Sequence, residues 1–376
     1  MGKIEVEKLN RGKFMLPVMY EVVKKYNECH SESEQIAWIK NNNYSSLFPA
    51  GRCAMLRFPN GESEILFDIP FNINPSTSVK ACMNKDICTT FLDQSGFSVP
   101  KSENFTRKYK WKNIDLYEPM IEFFDNAEKY GFRYPLIIKP ANLSQGIGVV
   151  KIGSKDEAHN LLKGLLSDES LAKCSTFVIQ EFITGYDYRV VVLGDKILQA
   201  YKRVPFHVVG DGKHTIKQLL DAKVQLFIDE QRDKKVDPTD PRIYECIKEA
   251  GYEFDSILEK GRKLALQKLA NLSLGGHAED CTKTIAPYFR NMAIEAAKSL
   301  NLDMCGIDII APNLEDRKSD RYAIIEVNSA PGLDNYLYSD PKKQEEYIES
   351  MAKEILKHLI KKHSSINNKE QKRKTR

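Results

Sequence analysis

Short apolar runs and segments with helical spacing alternate along most of this chain, but in an irregular order. Apolar residues that alternate with polar ones, or that form short continuous runs, predict β-strands. The strand candidates are residues 53–69 with a turn at 59–61, 134–139, 149–152, 176–182, 188–193 and 196–203. Apolar residues three and four apart predict helices over 16–26, 79–95, 120–130, 155–166, 215–223, 287–300 and 347–360. Because the two kinds of element do not alternate regularly, we expect an α+β protein with several mixed sheets.

Two apolar runs in the C-terminal third contain polar residues that suit a metal ion. Asp308 lies within Gly306–Ile310, and Glu326 and Asn328 lie two apart within Ala323–Asn328. Side chains on a strand alternate between its faces, so Glu326 and Asn328 are predicted to share one face. Two carboxylates and an amide oxygen are hard oxygen ligands of the kind that Mg²⁺ takes. A strand with one solvated face would carry the same residues, so the pattern alone leaves both interpretations open.

A lysine followed by a glycine-containing turn is a candidate phosphate site. Lys139 ends the apolar run 134–139, where its ammonium could place a point charge on a phosphate. The turn at 144–148 could offer backbone N–H groups to phosphate oxygens. No Gly-Lys-Ser/Thr ends this turn, and the third glycine of a dinucleotide fingerprint is missing. By itself, the turn fits an ordinary hairpin better than a nucleotide loop.

The net charge of +4 is concentrated at the C-terminus. Between Lys361 and Arg376, seven Lys or Arg stand against one acid, a net charge of +6 that leaves −2 for the rest of the chain. A near-neutral body with a basic tail is not typical of a nucleic-acid-binding protein. The tail has no apolar residue after Ile366, so we expect it to be solvated and disordered rather than bound to RNA or a membrane.

The cysteines and histidines indicate a cellular compartment rather than a metal centre. The eight cysteines are scattered without a CxxC pair, and the seven histidines form neither HExxH nor a zinc spacing. This distribution predicts free thiols in a reducing compartment. No stretch has the length and hydrophobicity of a signal peptide or transmembrane helix. We therefore expect a cytoplasmic protein without a nucleic-acid or membrane partner.

Several motifs occur in one order along the chain. They are Asn84-Lys85-Asp86, Lys139-Pro140, Gln180–Ile183, Asp187, Arg203–Gly212, Ala270–Gly276, Gly306–Ile310 and Ile325–Leu333. Through these motifs, from about residue 47 to residue 340, the chain resembles the ATP-grasp ligases, and more narrowly the ATP-grasp part of cyanophycin synthetases and bifunctional glutathione synthetases. The resemblance implies an ATP-grasp fold, in which ATP is held between two α+β subdomains.

The resemblance also implies a division of the chain. Residues 1–80 would form an N-terminal region on the substrate side, and residues 81–340 the ATP-grasp domain. Within that domain we expect a linker or central part at 81–135, a lid subdomain at 136–200, and a C-terminal catalytic subdomain at 201–340 with an insertion near 229–285. A C-terminal helix at 341–362 and a basic disordered tail at 363–376 would follow.

The residues that would bind the nucleotide follow from the same resemblance. Lys85 and Lys139 would hold ATP phosphates from two different subdomains, and Asp187 would bind the ribose. The flexible lid loop over the phosphates would contain Ser144, Gln145, Gly146 and Gly148. The hinge that binds adenine through its backbone would be Glu181, Phe182 and Ile183.

The resemblance makes Asp308, Glu326 and Asn328 the ligands of two Mg²⁺ ions, with Glu326 bridging them and Mn²⁺ as an alternative metal. Either Lys202 or Arg203 would face the phosphates.

Further residues would face the acyl phosphate and the acceptor. Asn271 is the first of these, with His277 or Asp280 nearby. His207 lies in a family-like loop, although an exposed loop histidine explains it at least as well.

Two arginines that many relatives carry are replaced in this chain. Gln267 and Gly306 stand at those positions. Lys268 or Arg262 would have to supply the lost positive charge, and Lys268 is therefore a candidate catalytic residue.

The chemistry implied by the family is the joining of a carboxylate to an amine. ATP phosphorylates the carboxylate, and the amine then displaces phosphate, so that ADP and phosphate are released. No protein nucleophile is required, which fits the absence of a Ser/His/Asp or Cys/His arrangement. We expect a ligase acting on an amino acid, a small peptide or a biosynthetic intermediate. The alternatives are the joining of γ-glutamylcysteine to glycine and an ATP-binding module without catalysis.

The fused parts of these relatives do not fit within this chain. Cyanophycin synthetases add a Mur-ligase-like part, and fused glutathione synthetases add a glutamate–cysteine ligase part. We therefore expect a standalone ligase with its own substrate. Dimers are common in this family, so a homodimer is one expected form.

Overall fold

The computed structural model describes residues 15–40, 53–67, 73–109, 112–113, 115–143, 148–168, 171, 174–229, 236–270, 272–316, 321–333 and 344–374. The helices are α1 (Met15–Glu28), α2 (Ser76–Cys82), α3 (Lys85–Gln94), α4 (Tyr117–Asp125), α5 (Lys155–Ser167), α6 (Ile216–Asp229), α7 (Pro241–Glu249), α8 (Pro287–Ser299) and α9 (Gln344–Lys374). The first eight strands are β1 (Ala37–Lys40), β2 (Cys53–Arg57), β3 (Ser63–Phe67), β4 (Ser102–Thr106), β5 (Lys108–Tyr109), β6 (Lys112–Asn113), β7 (Leu136–Pro140) and β8 (Val150–Ile152). The others are β9 (Thr176–Glu181), β10 (Tyr186–Leu193), β11 (Lys196–Val204), β12 (His207–Val209), β13 (Lys263–Ala265), β14 (His277–Asp280), β15 (Met304–Ala311) and β16 (Ala323–Asn328). Helices mixed with several separate sheets confirm the expected α+β class.

Five antiparallel strands form the central sheet, in the order β14-β11-β10-β15-β16. Both faces of β10 are apolar near its end, which suits a strand covered on both sides. Val190 and Val192 pack in the core that includes α8, whereas Val191 and Leu193 pack in the core that includes α1 and α9. Arg189 and Asp308 lie on the same face of this sheet as Val191 and Leu193, the face on which α9 packs. They lie beyond the part that α9 covers, where they can meet a ligand.

A second sheet, in the order β4-β9-β7-β8, packs with α4 and α5 around its own apolar core. This lid unit therefore runs from β4 to β9, because β4 pairs with β9 and the side chains of α4 are buried in the same core. Strands β10 and β11 belong instead to the central sheet. The expected boundaries, a linker at 81–135 and a lid at 136–200, are wrong on both counts.

The insertion in the catalytic half has a separate core. Strands β12 and β13 pair with each other, and α6 and α7 pack beside them around Phe206, Ile216 and Ile247. Asp240 caps α7 by accepting from the Arg242 N–H, and the following proline occupies the first helical turn. The core extends from 206 to 266, so the insertion begins earlier and ends earlier than the expected 229–285.

The N-terminal sheet, β1-β2-β3, packs with α1 against α9. Helix α9 continues to Lys374, so the expectation of a disordered tail from residue 363 is wrong for 363–374. Composition alone favoured disorder, but this segment has no Gly or Pro, and its residues 369–374 are Lys, Glu, Gln and Arg, which tolerate helix well.

The helix predicted at 79–95 is two helices. Asn84 has extended backbone angles, φ −112° and ψ 107°, so the chain turns between α2 and α3. The break makes Lys85 the first residue of α3, which brings it to the cleft between the two large sheets.

Candidate active site

A cleft of about 230 Å³ lies between the lid sheet and the central sheet. Its walls come from both sheets and from the start of α3. Its lining includes Lys85, Lys139, Glu181, Phe182, Ile183, Asp187 and Glu326. Residues predicted from motifs more than two hundred positions apart therefore meet in one cavity.

The two predicted phosphate lysines reach this cleft from different units. The Lys85 ammonium lies 3.4 Å from Oε1 of Glu326 and donates to the Leu143 carbonyl. Lys139, on β7, is only 7% exposed, and its Nζ lies 3.5 Å from the Ile325 carbonyl. Burial lowers the pKa of Lys139 to about 8, although the nearby Glu326 carboxylate acts against this shift. A desolvated ammonium of this kind gains most when an anion enters the cleft.

The three predicted metal ligands lie together at the pairing of β15 with β16. Asp308 stands directly opposite Glu326, and Gly306 stands opposite Asn328, so the three polar side chains share one face. The Asn328 amide nitrogen lies 3.4 Å from Oδ2 of Asp308. The prediction that Glu326 and Asn328 share a face is confirmed.

Two arginines surround Asp308, and one of them was missed by the sequence analysis. Arg189 on β10 stands directly opposite Asp308 and donates to both carboxylate oxygens, with Nη2 3.0 Å from Oδ2. Arg203 on β11 also donates to Oδ1 of Asp308. These arginines hold the pKa of Asp308 below its usual range despite its complete burial. The signal for Arg189 was present, since a charged residue within the apolar run of β10 is costly unless it is paired.

Gly306 leaves the space that Arg189 occupies. A Cβ atom at position 306 would lie 2.8 Å from Cδ of Arg189 and 2.9 Å from Cβ of Pro331. In relatives with an arginine at this position, the guanidinium would come from β15. Here the guanidinium comes from Arg189 on β10, which stands opposite Asp308, two residues along β15 from Gly306.

Asp187 lies at the edge of the same cluster. Its Oδ2 accepts from Nη1 of Arg203 at 3.2 Å, while its buried Oδ1 has no hydrogen-bond partner among the described residues. Burial raises the pKa of Asp187 to about 6, with Arg203 acting against the shift. An unsatisfied buried carboxylate oxygen on the wall of a cleft suits a ligand hydroxyl.

The predicted hinge lines the cleft beside β9. The Glu181 N–H donates to the Lys101 carbonyl at 3.0 Å, and the Phe182 N–H donates to the Pro135 carbonyl at 3.3 Å. The Lys151 ammonium lies over the Phe182 ring, 4.0 Å from the ring centroid. With two hinge N–H groups used inside the protein, Ile183 is the hinge residue whose backbone is best placed to meet a base.

Lys202 and Lys268 are not held in this cluster. Neighbouring residues on a strand face opposite ways, so Lys202 points away from the Arg203 side, with its Nζ 3.1 Å from Glu279 and 4.3 Å from the Tyr186 ring centroid. The Lys268 ammonium lies 2.7 Å from Glu249 on the exposed face of α7. The structure therefore places Arg203, and not Lys202, on the face that carries Asp308.

Other predicted residues are only partly described. Ser144, Gln145, Gly146 and Asn271 lie outside the described residues. Gly148 has φ +69°, and a Cβ atom there would lie 2.8 Å from Cγ of Pro140. Position 148 therefore lies against the end of β7 and requires glycine.

The region expected to face the acceptor contains one buried histidine, His207, and one partly exposed histidine, His277. His207 is 9% exposed, so its interpretation as an exposed loop histidine is wrong; its Nδ1 lies 3.0 Å from the Pro205 carbonyl. Its ring centroid lies 5.1 Å from that of His277, and burial lowers the pKa of both histidines. Asp280, at the end of β14, accepts from the Tyr347 hydroxyl at 3.2 Å.

The oxygen donors fit a magnesium site that is completed by phosphate. Within the described part of the chain, no three His, Cys, Asp or Glu side chains form a metal site by themselves. A carboxylate offers about four acceptor positions, so Asp308 keeps a free position on Oδ2 beside its arginine bonds. The orientation of an amide is an assignment, and turning Asn328 over would place a second oxygen beside Oδ2. Glu326 provides the third oxygen donor from the facing strand.

None of the helices in the described ranges combines the length and hydrophobicity that a membrane crossing requires. All eight cysteines are free thiols, as the sequence predicted.

The chain is similar to known ATP-dependent synthetases. It is 33% identical to a cyanophycin synthetase of Crocosphaera subtropica over 70% of this chain and 29% of the relative. It is 27% identical to the glutathione biosynthesis bifunctional protein GshAB of Clostridium perfringens over 66% of this chain and 31% of the relative. The chain thus spans about a third of the length of these relatives.

A solved structure shares the fold. The crystal structure of a bifunctional glutathione synthetase from Pasteurella multocida is similar with a TM-score of 0.56 and 21% identity, covering 90% of this chain and 43% of that protein. This similarity, together with the two sheets on either side of the cleft, confirms the expected ATP-grasp fold.

The family comparison matches the two parts of the chain that build the cleft. The sequence model of the RimK-like ATP-grasp domain matches residues 85–211 and 266–351, and it leaves out 212–265, most of the insertion with its separate core. The chain therefore belongs to the RimK-like ATP-grasp family, as its ordered motifs predicted.

Proposed function

We propose that this protein is an ATP- and Mg²⁺-dependent ligase that joins a carboxylate to an amine through an acyl phosphate. The observation that carries the proposal is the meeting of Lys85, Lys139 and the Asp308 cluster in one cleft between two sheets. Transfer of a phosphoryl group depends on positioning and on neutralising the moving charge. This cleft offers the Lys139 ammonium from the lid sheet, the Lys85 ammonium from α3 and oxygen donors for a metal from the central sheet.

Each part of the cleft has a separate role in this proposal. The backbone at Ile183 binds adenine, and the free oxygen of Asp187 accepts a ribose hydroxyl. Lys139 and Lys85 hold the phosphates, while Arg203 places a positive charge at the terminal, transferring phosphate. Mg²⁺ bound at Asp308, Glu326 and Asn328 would neutralise charge between the phosphates.

The two arginines fix the geometry of the proposed metal site before the nucleotide and the metal bind. Because Arg189 and Arg203 fix both oxygens of Asp308, the carboxylate keeps one orientation and its ionised form. We expect two ions with Glu326 bridging, and Mn²⁺ as a working substitute.

The relatives of the chain indicate the chemical class of its substrate. The relatives are a synthetase of cyanophycin and proteins of glutathione biosynthesis, so we propose an amino acid or small peptide as substrate. The end of β14, with Asp280 bonded to Tyr347, is a candidate acceptor side. The similarity to GshAB keeps the joining of γ-glutamylcysteine to glycine as a second candidate.

The two missing arginines slightly favour a non-catalytic ATP-binding module. Arg189 weakens that argument at position 306, because it places a guanidinium on Asp308 from the neighbouring strand. Release of ADP with a substrate would separate the ligase from a binding module.

The test is Mg²⁺-dependent ADP release from ATP across pools of amino acids and dipeptides, with single substrates then omitted in turn. Glu326→Gln keeps the shape of the side chain but removes its charge, and we expect it to abolish release. Glu295→Gln, on the exposed face of α8, is the matched control and should behave as wild type. An AMP product, or substrate-dependent release that survives Glu326→Gln, would contradict the proposal.

The cytoplasmic location and the homodimer remain predictions. Fractionation of cells and light scattering of the purified chain would test them.

A further inference from the structure

A second cavity, of about 280 Å³, lies between the N-terminal sheet and the C-terminal helix. We call it the N-terminal cavity. It is lined by Tyr26, Ser33, Glu34, Ile36, Phe58, Pro59, Asn60, Ile360, His363 and Ser364. Small-molecule sites begin at about 300 Å³, so this volume suits a compact ligand.

The N-terminal cavity is separate from the ATP cleft. The two cavities share no lining residue. Tyr347, which contacts the central sheet, and His363, on the wall of the N-terminal cavity, are sixteen residues apart on α9, about 24 Å along its axis.

The only acid on the wall is Glu34, and no Lys or Arg is among the described lining residues. Ser31 donates to Glu34 through its hydroxyl and its backbone N–H, which lowers the pKa of the carboxyl and keeps it ionised. Tyr26 lines the cavity together with Glu34, and burial, followed by the charge of Glu34, raises the pKa of its phenol. This end of the cavity therefore attracts a cation.

The other end of the cavity is apolar and aromatic, with one polar atom that lacks a partner. The His363 ring stacks on Phe58, with centroids 4.4 Å apart, and its Nε2 lies 2.9 Å from Oε2 of Glu64. When Nε2–H donates a hydrogen bond to that carboxylate, the neutral ring has its lone pair on Nδ1. Within the described part of the chain, Nδ1 is buried and has no hydrogen-bond partner. A donor N–H on a ligand would satisfy it after a small movement of the ring.

We propose that the N-terminal cavity binds a small primary ammonium compound, with its apolar body against Phe58, Pro59 and Ile360 and its ammonium group between Glu34 and Tyr26. Cations over aromatic rings and beside a carboxylate are a recurring pairing. The ligand class differs from a nucleotide, since a phosphate would be repelled by Glu34. The proposal does not depend on the ligase activity.

The test is ligand-observed saturation-transfer NMR on the full chain, with butylammonium, phenethylammonium and 1,4-diammoniobutane as probes. Butyrate and butanol are the matched probes without the positive charge. We expect saturable binding of at least one ammonium probe and much weaker binding of butyrate and butanol.

Variants locate the bound probe. Glu34 is exposed, so Glu34→Gln should fold normally and weaken binding about fivefold, the size of an exposed ion pair. Ser364→Phe should block the cavity from its exposed wall. Glu32→Gln, on the same short helix but outside the lining, and Glu326→Gln, in the ATP cleft, should bind as wild type.

Each result decides the proposal. The proposal is supported if Glu34→Gln weakens binding and Ser364→Phe blocks it, while Glu32→Gln and Glu326→Gln bind as wild type. It is overturned if no ammonium probe binds, if butyrate binds as well as butylammonium, if Glu34→Gln and Ser364→Phe bind as wild type, or if binding is lost only in Glu326→Gln.

Discussion

Arg189 and Asp308 stand directly opposite each other on β10 and β15, and the guanidinium donates to both oxygens of the carboxylate. The Asp308 side chain is buried, and the Arg189 side chain is only 12% exposed. The pair ties the strand that lines the cleft to the strand that carries the proposed metal ligands. Its removal should therefore affect both folding and turnover.

Arg189→Met is expected to lower the free energy of unfolding by about 3 kcal/mol, because it leaves a buried carboxylate with one partner fewer. Arg203 still contacts Asp308, so the loss should lie at the lower end of the range for broken buried pairs. Urea unfolding measures it. In Arg189→Met/Asp308→Leu the stability should partly return, since neither charge then remains unpaired. A double variant that is less stable than the sum of the single effects would contradict this account.

Gly306→Ala tests whether the missing arginine position is filled from β10. The new Cβ would press on Cδ of Arg189 and on Pro331, and overpacking of this kind costs about 1–3 kcal/mol. The cost should shrink in the Arg189→Ala background, where the first contact is gone. Gly164→Ala is the matched control. This glycine lies within α5 with open space around it, so alanine should stabilise the protein by about 0.5–1 kcal/mol. Equal costs of Gly306→Ala in both backgrounds would exclude the proposed relationship.

The neighbours Lys202 and Arg203 separate the two faces of β11. Arg203→Met should reduce ADP release by at least about a hundredfold, since removing one preorganised charge at a transferring phosphate has effects of this size. Lys202→Met should reduce it by less than about threefold, because its partners are Glu279 and Tyr186 on the other face. Steady-state ADP release measures both. The reverse ranking would show that Lys202, and not Arg203, reaches the phosphates.

Lys268→Met tests the other candidate for the lost charge. Its ammonium is exposed and paired with Glu249, and such surface pairs contribute about 0–1 kcal/mol. ADP release and the unfolding midpoint should stay close to wild type. A large loss of turnover with normal stability would return Lys268 to the active site.

The sequence located the parts of the cleft that short motifs define. Alternation on one strand was enough to place Glu326 and Asn328 on a common face, and an apolar run ending in Lys139 was enough to predict a buried cation. Arg189 was missed because its meaning depends on pairing with Asp308, which lies 119 residues further along the chain. No local pattern contains that register.

The errors in the domain boundaries have a similar cause. Strand β4 joins the lid only through its pairing with β9, and β10 leaves the lid only because it pairs with β15. Apolar runs predict that strands exist, but they do not say which strands are neighbours. The extent of α9 was missed for a different reason, since a charged segment is compatible with both disorder and an exposed helix.

Lys139 predicts a pH dependence of nucleotide binding. Below pH 8 its ammonium is charged and attracts phosphate, whereas above pH 8 the nucleotide-free protein has lost this charge. The affinity for ATP should therefore fall as the pH rises from 7 to 9. Lys139→Met should bind ATP about thirtyfold more weakly at pH 7, the effect of losing a charged hydrogen bond of about 2 kcal/mol. The variant should also lose most of the pH dependence. Lys196→Met, at an exposed lysine, is the control for a general loss of positive charge.

The same lysine predicts the opposite trend for stability. Between pH 8 and 10.5 the unfolded chain keeps the proton that the folded chain has released, so the free energy of unfolding should rise with pH in this window. Below pH 8 both states hold the proton, and the full cost of burying the charge is present. Urea unfolding of wild type and Lys139→Met at pH 7 and pH 9.5 separates this contribution from other groups. A rise of equal size in both proteins would show that Lys139 is not buried in its charged form.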